Sequence, residues 1–192
     1  MKNFLLKIII LISLLFYSSA LYAEKYIIDT KGVHAFIQFK IKHLGYSWII
    51  GQFNEFEGFF YIDRENINHS KVEVDINSSS INTGHARRDK HLRDQDFLDV
   101  KEYPEIKFIS KSVKQTSKKE AIVTGDLTLH GVTKSEDLKI ILIGEGKDPW
   151  GGYRMGFEGS TIIKLKDYNI KRDLGPFSQE VEIFVSIEGI RQ

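Results

Sequence analysis

The chain has 192 residues, with 27 Lys and Arg against 26 Asp and Glu and no cysteine. A balance this close to neutral supplies no global positive field, which excludes nucleic acid as an expected partner. The missing cysteines exclude disulfides, thiol catalysis and cysteine-ligated metal, so the core alone must hold the fold.

The first residues follow the layout of a secretory signal peptide. Lys2 and Lys7 give a positive start, Ile8 to Phe16 is an apolar run, and Ser18 to Ala23 supplies small residues before Glu24. The run is short of the roughly 20 residues that span a bilayer. We expect residues 1–23 to be removed after Ala23, against the alternative of an uncleaved anchor, and residues 24–192 to form one domain. No cysteine follows the run, which argues against a lipoprotein anchor. Removing Lys2 and Lys7 leaves 25 basic and 26 acidic residues. The expected location is the bacterial periplasm, with secretion as the second choice.

Strands follow nearly throughout. Ala35 to Lys42 alternates with Phe39 and Ile41 on its apolar face, the period of two of a half-buried strand. The segments 49–63, 71–77, 105–114, 121–130, 137–146, 155–166 and 180–187 continue the pattern and bring the total to eight. Val72, Val74 and Ile76 share one face of the third strand, and Val181, Ile183, Val185 and Ile187 one face of the last. Lys40, Lys42, Glu73, Asp75, Glu180 and Glu182 are left for water. Turns are expected at Asn66–Asn68, Gly131–Lys134 and Asp148–Gly152. Pro104, Pro149 and Pro176 all fall between strands, where a missing donor costs nothing. Gly51 and Gly58 read as bends that let a long second strand curl.

Between the third and fourth strands, residues 85–98 break the alternation. Leu92, Phe97 and Leu98 are spaced for one apolar stripe among many charges, which predicts a short exposed helix. Eight short-linked antiparallel strands fit a sandwich or a closed barrel. Closure removes the free edges on which exported β-proteins aggregate.

Candidate chemistry is concentrated in the charged stretch. Arg87, Arg88, His91 and Arg93 fit an anion-binding rim, because arginine forks match phosphate oxygens. They fit equally a solvated helix laced with i,i+4 ion pairs that caps the barrel. The histidines at 34, 43, 69, 85, 91 and 130 show no i,i+4 ligand pair, although His85, His91 and Asp89 could meet around a metal. No G-x-S-x-G is present, and Ser78–Ser80 near His85 and Asp89 reads as a strand end more readily than as part of a triad. Phe53, Phe56, Phe59, Phe60 and Tyr61 crowd one strand, with Phe36, Phe39, Phe108, Phe157 and Phe184 on others. Such a lining suits an ordinary core or a chain-like apolar guest, each buried CH2 contributing roughly 0.8 kcal/mol.

Fragments along the chain then combine into a resemblance. Tyr26–Asp29, Phe39–Gly45, Gly51–Phe53, Phe56–Gly58 and Ser80–Gly84 come first. Arg88–Arg93, Asp96–Val100, Tyr103–Phe108 and Gly125–Lys134 complete the series. In this order they resemble the YceI-like family of polyisoprenoid-binding proteins over essentially the whole of residues 24–192. The resemblance implies an all-β, eight-stranded antiparallel lipocalin-like barrel with a helical insertion near 85–98, export, and a long-chain isoprenoid or quinone-like lipid in the lumen. It implies handling, transport or storage of that lipid or a stress response, and no settled catalysis.

On the inward faces, Phe39, Ile41, Phe53, Phe56, Phe60, Val74, Phe108 and Val185 are the expected tunnel lining. Arg87, Arg88, His91 and Arg93 would sit by a polar head at one mouth. No catalytic residue, metal or cofactor is expected; transient membrane contact and a homodimer are. The rival readings are a ligand-free protein-interaction barrel and a His/Asp-assisted lipid hydrolase. The chain departs from the family pattern at Ala35, after His34, where serine is common. It departs again over Lys164–Asn169, in place of a frequent Arg-x-Asp-Phe-Gly.

Overall fold

The computed structural model describes residues 23–192. The expected signal peptide, apart from Ala23, lies outside the described residues. Eleven strands form one antiparallel sheet: β1 (Glu24–Ile28), β2 (Phe36–His43), β3 (Ser47–Phe53), β4 (Phe56–Ile62), β5 (Lys71–Asn77), β6 (Ile81–Asn82), β7 (Glu105–Gln115), β8 (Glu120–Leu129), β9 (Val132–Lys147), β10 (Tyr153–Lys164) and β11 (Glu180–Arg191). Among the described residues one α-helix, α1 (Ala86–Arg93), follows β6.

The register reduces these strands to eight staves. β11 pairs with β10 along its length, while its other edge is shared between β2 at Val181–Ser186 and β1 at Gly189–Arg191. β1 and β2 are therefore one stave interrupted by the excursion Asp29–Ala35. By the same reasoning β3 and β4 form a second stave, facing β2 and β1, and β6 and β5 a third, facing β3 and β4. β5 continues to β7 and so around to β11, closing an eight-stave barrel. Closure leaves the main ring without the unpaired edge of an open sheet.

The breaks in the first three staves lie side by side and form a seam. Local hydrogen bonds replace the ladder there: Asn54 N donates to the Ser80 carbonyl at 3.2 Å and Asn77 N to the Glu55 carbonyl at 2.9 Å. Arg93, at the end of α1, donates from Nε to the Ser79 carbonyl at 2.6 Å and from Nη2 to the Ile81 carbonyl at 2.7 Å. The excursion in the first stave is pinned by Asp29, only 8% exposed. Its Oδ2 lies 2.9 Å from His34 Nδ1 and 2.7 Å from Arg154 Nη1, and its Oδ1 accepts from Gly32 N at 2.9 Å. Arg154 also reaches Glu188 at 2.6 Å and Asp148 at 2.8 Å. The hydrogen bond from His34, ahead of that from Arg154, holds the Asp29 carboxyl down at about 2.

Alternation places Tyr26, Ile37, Phe60, Val74, Ile76, Ile106, Leu127, Met155 and Ile163 in one buried cluster. Tyr26 stacks on Phe60 with centroids 4.8 Å apart, and Phe157 meets Phe60 edge-on at 5.4 Å. Two expectations need correction. The β8–β9 turn is only His130–Gly131, both with positive φ (50° and 71°), so Val132–Lys134 belongs to β9. The second stave breaks at Asn54–Glu55, and its glycines serve close approach: a Cβ on Gly51 would strike the Phe39 ring, and one on Gly58 the Glu73 carbonyl.

Gly58→Ala should lower stability by about 1–3 kcal/mol, because the added methyl meets backbone that cannot rotate away; urea unfolding measures this. Asp29→Asn should cost about 1–2 kcal/mol near neutral pH. The native carboxyl titrates at about 2 against an ordinary 3.8, so its stabilisation is present above pH 3.8 and is lost as pH falls toward 2. The gap between wild type and variant should therefore close on acidification. A gap that stays constant from neutral pH down to about 2 would contradict the assignment.

Candidate functional site

Inside the barrel lies a cavity of about 780 Å3, within the usual range of ligand pockets. Its side walls come from the inward positions of every stave. Leu138, Ile140 and Leu142 file along β9, Val181, Ile183, Val185 and Ile187 along β11, and Leu127 and Leu129 along β8. It runs the length of the barrel. Arg64, Glu65 and Lys118–Glu120 border it at one end, and Arg88, His91, Leu92 and Arg172 at the end that carries α1.

Of the residues expected to line a tunnel, Phe39, Ile41, Phe53, Phe60, Val74, Phe108 and Val185 are on this wall. Phe56 is not on the cavity wall. It lies at the start of β4 beside the seam and packs against the buried cluster instead.

The four basic residues are not brought together. Arg88 and His91 border the lumen, whereas Arg87 is exposed and Arg93 turns to the carbonyls of the seam. Arg88 donates from Nε to Thr83 Oγ1 at 2.7 Å and from Nη2 to the Thr83 carbonyl at 3.0 Å. His91 Nε2 lies 3.1 Å from Asp96 Oδ2, which Arg172 approaches at 3.4 Å, so this end is strapped by an Arg172–Asp96–His91 chain. The opposite mouth has its own strap, with Arg64 bonded to Glu24 at 2.9 Å and Glu145 at 2.6 Å. The helix is thus chiefly a strut, and its guanidinium groups are largely engaged with backbone and neighbouring side chains.

His85, His91 and Asp89 do not converge. The His85 side chain caps α1 by accepting from Arg88 N at 3.2 Å, and Asp89 accepts from Thr83 N at 2.9 Å. Among the described residues, Asp29, His34 and Glu188 are the group with metal-ligand spacing. Arg154 already occupies the space between their carboxylates, which fits an ion-pair pin better than a cation site. Ser78 Oγ donates to the Tyr103 carbonyl at 2.7 Å, Ser79 Oγ to Asn77 at 2.8 Å and Ser80 Oγ to the Asn77 carbonyl at 2.7 Å. Those hydroxyls hold the strand end and are not aligned with a histidine base.

Sequence reasoning missed Glu136 and Tyr168. Glu136 faces the lumen at the start of β9 and accepts a hydrogen bond from Tyr168 Oη at 2.6 Å. Extending the alternation of β9 backward from Leu138 would have put Glu136 on the inner face. Nothing local in the sequence indicates Tyr168 as its partner.

The YceI-like domain family matches residues 26–189. A UPF0312 protein of Pseudomonas aeruginosa is 56% identical over 180 residues, 94% of each chain. The crystal structure of the Campylobacter jejuni YCEI protein superposes with a TM-score of 0.72 at 28% identity, over 79% of this chain and 90% of that one. A polyisoprenoid binding domain from Saccharophagus degradans, at 17% identity, shares the fold with a TM-score of 0.66 over 87% of this chain and 98% of its own. The chain belongs to the YceI-like family.

Proposed function

We propose that this barrel holds a long-chain isoprenoid or similar amphiphilic lipid in its lumen and carries it through the periplasm after export. The observation that carries the reading is the cavity of about 780 Å3, which runs between the two strapped mouths and is walled mainly by aliphatic side chains and phenyl rings. A guest that removes its chain from water here gains about 25 cal/mol per Å2 of apolar surface, offset in part by the ordering of the chain. The export signal expected over residues 1–23 supports the location, and the polyisoprenoid-binding relative supports the class of lipid. No step of this function changes a covalent bond.

Loading needs contact with a lipid source. At the helix end, the β2–β3 hairpin exposes Leu44 (53%) and Tyr46 (88%), with Phe177 (63%) packed on Gly45 beside them. Lys40 and Lys42 flank them, with Lys40 Nζ 4.5 Å and Lys42 Nζ 5.7 Å from the Trp48 ring centroid. Apolar tips backed by lysines suit a transient stay at a bilayer interface.

The first test is native against denaturing mass spectrometry of the exported chain, purified without detergent. The expected result is a stoichiometric extra mass, released on denaturation, with an isoprenoid fragmentation series. A clean apo mass that persists after incubation with prenyl lipids would turn the reading to a filled, protein-interaction barrel. Phe108→Asp should empty the lumen, and a folded variant that keeps full lipid occupancy would refute the tunnel. Leu44→Ser with Tyr46→Ser should slow uptake of lipid from vesicles severalfold while equilibrium occupancy stays unchanged. Equal uptake rates would count against the hairpin.

A further inference from the structure

Along β9 the lumen-lining residues form an apolar file between two carboxylates, Glu136 at the helix end and Glu145 at the opposite mouth, where Arg64 engages it. Glu136 heads the file that continues as Leu138, Ile140 and Leu142. A carboxylate in such surroundings is costly unless it is hydrogen-bonded. Its partner is built in: Tyr168, fully buried, donates to Glu136 Oε1 at 2.6 Å. The phenol is fixed from below. Tyr168 ends the 3-10 segment Leu165–Tyr168, Asn169 reverses the chain in the left-handed conformation (φ 59°), and His130 Nδ1 donates to the Tyr168 carbonyl at 3.0 Å. Burial first, then the bond to Glu136, pushes the phenol up, so it remains a donor across the physiological range.

One hydrogen bond does not exhaust a carboxylate, whose two oxygens offer about four lone-pair directions. We propose that Glu136 and Tyr168 form a head-group subsite inside the lumen that takes the terminal hydroxyl of a long-chain alcohol. This deepens the lipid-carrying reading and rests on it. The chemistry selects against the alternatives. A bare hydrocarbon leaves Glu136 without a second partner. A diphosphate brings negative charge toward a carboxylate where the surroundings screen poorly. The arginine that could compensate, Arg88, is held by Thr83, and Arg172 faces Asp96.

The test is displacement of the fluorescent apolar probe N-phenyl-1-naphthylamine from the exported chain by geranylgeraniol, geranylgeranyl diphosphate and the hydrocarbon phytane. Wild type should take the alcohol roughly tenfold more tightly than phytane, as expected for a hydrogen bond to a charged acceptor. Glu136→Gln preserves an acceptor for Tyr168, so the fold should be intact in thermal melting while the preference falls to a few-fold. The double variant Glu136→Leu, Tyr168→Phe should bind phytane at least as well as wild type does and lose the preference altogether. A ratio unchanged in both variants, with phytane still bound, overturns the subsite alone. Tighter binding of the diphosphate than of the alcohol by wild type overturns the choice of head group. Failure of all three to displace a bound probe overturns the subsite together with the lipid reading.

Discussion

Everything in this molecule depends on how β11 divides its outer edge. Its last residues pair with β1 and its earlier ones with β2, so one stave is closed by two segments of chain separated by a loop. The shared edge turns a sheet into a ring, and the ring creates the inside. The cavity, its straps and the inward face of β9 are geometric consequences of that closure. The Asp29–Arg154 pin sits where closure is most demanding, at the point where the first stave leaves the ladder and returns.

Polar groups are sorted with respect to this inside. Cations that the sequence displays as a cluster are dispersed once the chain folds. Arg93 supplies donors to carbonyls of the seam and Arg88 holds the turn before α1, while Arg64, outside that cluster, ties the far mouth across Glu24 and Glu145. An arginine presents five donors in a fixed fork, which suits it to satisfying several acceptors where a ladder has failed. Much of the charge that suggested recognition therefore does structural duty, while Glu136, outside that cluster, places a carboxylate on the lumen wall.

The strands were legible in the sequence because alternation is enforced by a wall with an apolar inside and a wet outside. All eight staves were anticipated, and β5 to the residue. β1 and β6 were not. Five residues and two residues, respectively, are too few to show a period, and each is a strand only because a neighbouring stave accepts it. Val132–Lys134 read as turn because Gly131 and the charges nearby mask a strand that starts immediately. Seven of the eight proposed lining residues face the cavity because facing is a local property. Phe56 does not, and Arg93 points away, because their fate is decided by the seam, a feature visible only when three staves stand side by side. Glu136 was within reach of the same alternation; its pairing with Tyr168, 32 residues on, was not.

The seam has a mechanical meaning. Along most of the wall a stave can be displaced only by breaking a continuous ladder, which is cooperative and slow. Across Asn54–Glu55 and Ser78–Ser80 single hydrogen bonds stand in for the ladder, and at Asp29–Ala35 the Asp29–Arg154 pin takes its place. A tube with one scored line tears there first. Breathing of the barrel should be concentrated along that diagonal, with the α1 strut as its clasp, so the wall can widen by parting at one place while the remaining five staves keep their pairing.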